Sequence, residues 1–118
     1  MSRVDFVCDP KGNKNRPYLL RTGFSHYCRK YNRFVICQEG MRSDGATGAM
    51  DIDSKAWWVH DQLCRDGTFA CGSKCTNLQA STVLYNILKD EGYWFRARTW
   101  FIMTLAFGGG KARRNGIL

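Results

Sequence analysis

The span from Ser54 to Gly67 constrains this chain most, because it reads as one complete helix with both ends marked. Ser54 is suited to cap the first turn with its hydroxyl, Asp53 favours the positive helix end, and Gly67 is a stop signal. Between them Trp57, His60, Leu63 and Cys64 recur at the spacing of one helical face. That phase turns His60 inward and sets Asp61 on the flank beside Trp57 and Trp58. Any fold must therefore bury a histidine next to an aspartate in apolar company. Such a step can be a catalytic base, a metal site, or a polar pair that holds a small core together.

The rest of the chain must supply the layer that covers this helix. Thr76 is suited to cap a second helix over 77–90, whose inner face carries Leu78, Leu84, Tyr85, Ile87 and Leu88, and Gly92 ends it. A third helix follows from about Tyr93 to Phe107 and stops at Gly108-Gly109-Gly110. Upstream, residues 25–41 read as a hairpin with the β-branched and aromatic arm Arg33-Phe34-Val35-Ile36-Cys37 and a turn at Lys30 to Asn32. Residues 42–50 are rich in glycine and small residues, a tight loop that lets the backbone approach something closely.

The sequence thus predicts one α+β domain. It comprises an irregular basic arm over 1–24 with a short extended piece at Val4 to Cys8, a hairpin and glycine loop over 25–50, three helices over 54–107, and a basic tail over 108–118.

Composition narrows the function classes. Hydrophobic residues at 44% and aromatics at 14% exclude a disordered chain. The net charge of +8 favours acidic partners such as nucleic acid, phospholipid headgroups or an acidic protein surface. The basic residues are spread over several segments rather than massed in one recognition helix, so a solvated basic surface is the plainer reading and DNA contact the alternative. The run from Trp100 to Phe107 is far short of the roughly 20 apolar residues that span a bilayer. No apolar signal core opens the chain, so the six cysteines are expected as reduced thiols rather than a disulfide framework.

Two constellations could carry chemistry. The Asp44-Gly45 loop, the His60-Asp61 pair and the start of the second helix can converge. A histidine base needs a partner to fix its tautomer, and Asp61, Asp44 and loop carbonyls are oxygen donors suited to calcium. The competing reading is a polar clasp in which Asp44, His60 and Asp61 satisfy buried amides of the glycine loop. The second constellation is His60, Cys64, Cys71 and Cys75, the right donors for zinc or an iron–sulfur cluster but without the usual C-x-x-C knuckle. Its plainer reading is packed or uncommitted thiols. Trp57, Trp58, Trp94, Phe95, Trp100 and Phe101 all fall in helices and are expected in the core, while any exposed member would mark a protein interface.

Four stretches keep the order of a known pattern: RSDGAT at 42–47, WWVHDQLC at 57–64, TNLQASTVLYNIL at 76–88 and FGGG at 107–110. Over about residues 25–110 the chain resembles a small bacteriophage and prophage protein family of unassigned function. Its members carry a hairpin, a threonine-aspartate-glycine-alanine-serine loop, a valine-histidine-aspartate-x-leucine-tyrosine helix, and a helix containing alanine-aspartate. The paired helices also resemble, distantly, those of secretory phospholipase A-two. That likeness implies His60 as base and Asp61 as calcium ligand, while the orienting aspartate falls on Ser81 and the tyrosine on Cys64. Serine can hydrogen-bond an imidazole but carries no charge to stabilise an imidazolium.

The resemblance implies a virion structural or accessory protein without catalytic activity or cofactor, at a tail or head–tail joint and in the host cytoplasm during assembly. It would bind other phage proteins, with Asp44, His60, Asp61 and Ser81 as an internal polar clasp. A calcium-dependent phospholipase-like hydrolase is the alternative. Polar, glycine-bearing ends fray unless something holds them. The basic arm and tail are accordingly expected to be pinned by neighbouring proteins.

Overall fold

The computed structural model describes residues 4–12, 14–43, 54–108 and 110–118. Among the described residues, five short strands precede four helices. The strands are β1 (Phe6–Cys8), β2 (Tyr18–Leu20), β3 (Phe24–Cys28), β4 (Arg33–Cys37) and β5 (Arg42–Ser43). The helices are α1 (Lys55–Asp66), α2 (Asn77–Asp90), α3 (Trp94–Phe107) and α4 (Lys111–Asn115). The architecture is α+β, as the sequence predicts.

β3 and β4 form the expected hairpin, with Phe24 opposite Cys37 and Cys28 opposite Arg33. The alternation decides its faces: Val35 and Cys37 are buried, while Phe34 and Ile36 point outward. Asn32 closes the turn in the left-handed region at φ 53°, which asparagine tolerates better than most residues.

The N-terminal segment has the extended piece expected near Val4 to Cys8, as β1, but is otherwise more ordered than the irregular arm expected of it. β1 pairs with β2, and β2 pairs in turn with β5, in a small antiparallel sheet of order β1-β2-β5. Strands of two or three residues are too short to show a period, so their pairing is invisible locally. Arg42 fixes the connection between β1 and β2. Its guanidinium lies 2.9 Å from the Asp9 carboxylate and donates to the carbonyls of Asp9 and Arg16.

α1 starts and stops where its signals stand. The Ser54 hydroxyl accepts from the Ala56 amide at 3.1 Å, and Gly67, at φ 68°, donates to the Leu63 carbonyl. Its buried face is broad, including Trp57, Trp58, Val59, His60, Leu63 and Cys64. α2 opens on a capping box in which Thr76 and Gln79 satisfy each other's backbone amides. Thr76→Ala should lower stability by about 1 kcal/mol, read as a reduced urea midpoint at unchanged slope. An unchanged midpoint would show that the box carries no weight.

The C-terminal tail is a second departure. Residues 111–115 form α4, and Ala112 is fully buried. The Asn115 amide donates to the carbonyls of Gly67 and Cys75, while the backbone amides of Asn77 and Leu78 donate to Gly116 and Ile117. The tail is therefore held by its own chain, because it supplies acceptors to the open N-terminus of α2. Gly110 makes the approach possible at φ 85°, where a Cβ would lie 2.4 Å from the Cys64 carbonyl oxygen. Among the described residues, no helix is long and apolar enough to cross a membrane.

Candidate functional site

His60 sits mid-helix on the inner side of α1, 8% exposed. One turn on, the Cys64 sulfur lies 3.5 Å from its Nε2 and 3.9 Å from its Nδ1. Burial lowers the His60 pKa to about 4, since the charged imidazolium has little access to water. Burial raises the Cys64 thiol to about 12, helped by the negative charge of Asp61 and by Cys75. At neutral pH the pair is thus a neutral imidazole against a thiol. A cysteine nucleophile activated by histidine would need the opposite charge state.

The other residues singled out in the sequence go to different partners. Asp61, half-buried on the flank of α1, faces Arg65 with a 3.8 Å nitrogen–oxygen separation. Ser81 is fully buried, and its hydroxyl lies 2.8 Å from that of Thr104 on α3. It serves the α2–α3 contact, where Asn77 also donates to the carbonyls of Thr104 and Leu105. Asp44 lies outside the described residues. Of the four residues expected to form one clasp, His60 and Asp61 thus share a helix, whereas Ser81 is engaged by α3.

The zinc or iron–sulfur set is brought together only in part. His60 and Cys64 touch, and Cys75 is buried with its thiol donating to the Thr76 carbonyl. Cys71 is exposed beside Ser73, whose hydrogen bonds lower its pKa. Among the described residues, no group of three or more histidine, cysteine, aspartate or glutamate side chains is placed to hold a metal ion. All six cysteines are unpaired thiols.

Two features carry no signal in the linear sequence. The first is a cleft of about 440 Å³ over His60 and Cys64, also lined by Asp61 and by four cations, Arg16, Arg65, Lys111 and Arg114. These come from the β1–β2 connection, α1 and α4, so only folding assembles them.

The second is the outer face of α3. Trp57 and Trp58 are core residues as expected, and Trp100 stacks edge-on against Trp57 at 4.8 Å. Trp94 and Phe95 are not: they are 61% and 71% exposed, and Ile102 and Phe107 stand out with them. Within α3 only Ala97 and Thr104 are buried, because one side of the helix meets α2 while its apolar residues are spread round its whole circumference. Cations rim this face, with Arg98 5.6 Å above the Trp94 ring and Arg96 5.3 Å above Tyr93.

Comparison with models of known families, with curated proteins and with solved structures finds no match to this chain.

Proposed function

We propose that this chain is a non-catalytic adaptor that docks another protein on the outer face of α3. The observation that carries the reading is the exposure of Trp94, Phe95 and Ile102, which lie within about 100° of one another round α3. Large aromatic and aliphatic side chains grouped in this way mark interaction sites, and tryptophan and arginine are the residues most enriched at binding hot spots. Arg96 and Arg98 beside these rings fit a partner with an apolar centre and an acidic edge. The resemblance to phage proteins supplies the setting. The partner is another phage structural protein, at the tail or the head–tail joint of a virion.

The neutral His60–Cys64 pair and the commitment of Ser81 to Thr104 support the non-catalytic part of this reading. The test is a double variant, Phe95→Glu with Ile102→Glu. Both positions are exposed, so stability should stay within about 0.5 kcal/mol of the parent. Co-sedimentation with particles should fall by about tenfold or more, as loss of central apolar anchors implies. Incorporation at the parental level would overturn the proposal. Calcium-dependent phospholipid hydrolysis that disappears with a chelator or in Asp61→Asn would overturn its non-catalytic part.

A further inference from the structure

We propose that the cleft between α1 and α4 binds the phosphate group of a ligand, gripped by Lys111 and Arg114 above His60. Among the described residues, four cations, Arg16, Arg65, Lys111 and Arg114, and one carboxylate, that of Asp61, line this concavity, so positive charge predominates on its described wall. Asp61 already faces Arg65. Among the described residues, Lys111 and Arg114 have no carboxylate within ion-pair distance.

The convergence is built rather than incidental. α4 is held over α1 by the Asn115 bonds to Gly67 and Cys75, and by the close passage of Gly110 across the Cys64 carbonyl. That placement brings two cations of the tail over the buried imidazole, next to those from Arg16 and Arg65. Guanidinium groups match phosphate oxygens with paired donors, and lysine adds a point charge. A concavity of about 440 Å³ also falls in the size range of small-ligand sites. The same positive surplus works against a divalent cation at Asp61, because like charges raise the cost of placing it there.

His60 supplies the reporter. Burial holds its pKa at about 4, and a bound anion would stabilise the imidazolium and raise that value. The other histidine of the chain, His26 on β3, is an internal control.

The experiment follows both imidazoles by NMR while the full chain is titrated with inorganic phosphate at constant ionic strength. A parallel arm uses phosphatidate vesicles against neutral phosphatidylcholine vesicles, which separates a free phosphate from a lipid headgroup. The expected result is a saturable change at His60 but not His26, in at least one arm. It should weaken by about tenfold or more in Lys111→Gln with Arg114→Gln, since one charge-assisted bond to an oxyanion carries about a decade of affinity. A charge-matched control, Arg29→Gln with Lys30→Gln on the hairpin turn, should bind like the parent. No saturable response in either arm would overturn the proposal. So would equal weakening in the control, which would show that net charge alone is being read.

Discussion

Trp58→Ala is expected to remove about 3–5 kcal/mol of stability, a large part of what a domain of this size possesses. The side chain is fully buried on α1, and its ring lies 5.9 Å from that of Phe6 on β1. It therefore joins the helical layer to the N-terminal sheet, and its loss leaves a cavity where two layers meet. Guanidinium unfolding should show a lowered midpoint for Trp58→Ala and a smaller drop for Trp58→Phe, which keeps an aromatic ring. Phe107→Ala, at a position 78% exposed, should leave the midpoint nearly unchanged. Equal effects at Trp58 and Phe107 would mean that the two layers do not pack as described.

The second large effect concerns pH. His60 titrates at about 4 in the folded chain against 6.5 in the unfolded chain, because burial disfavours its charge. As pH falls below 6.5, the unfolded chain takes up this proton before the folded one does. The stability from burying a neutral imidazole is complete above pH 6.5, is lost progressively toward pH 4, and changes little below that. The full loss comes to about 3 kcal/mol. His26 moves in the same direction, through partial burial and then the nearby charge of Lys55, with Asp90 opposing. It is only half-buried, so solvent screening makes its share smaller. Urea unfolding at pH 7, 5.5 and 4.5 should show stability falling with acidity, and His60→Gln should flatten that slope. An identical slope in the variant would remove His60 as its cause.

How far the sequence anticipated the fold depends on where each element keeps its signals. α1 and α2 carry both the cap and the apolar face within a single stretch. Ser54, Gly67 and Thr76 accordingly lie where the helices begin and end. The β3–β4 hairpin is legible for the same reason, since alternation at Val35 and Cys37 is a local property. The pairing of β1 with β2 and the folding back of α4 depend on distant segments. No pattern within either segment announces its partner.

The candidate sites divide in the same way. Helical phase was enough to bury His60 and to place Cys64 one turn away. It could not show that Ser81 would face Thr104, or that Cys71 would stand exposed. Nor could it gather Arg16, Arg65, Lys111 and Arg114, which are far apart in the chain but line one cleft.

By itself the sequence determined that α1, α2 and α3 become helices, where the first two start and stop, and which α1 face turns inward, because those properties arise within a few turns of backbone. Only the tertiary structure decided which apolar surface stays uncovered and which charges meet. α3 shows the reason. Its apolar residues are spread round the whole helix rather than gathered on one side, so its own sequence favours no side for burial. The packing of α2 against one flank covers Ala97 and Thr104 and leaves Trp94 and Phe95 facing water.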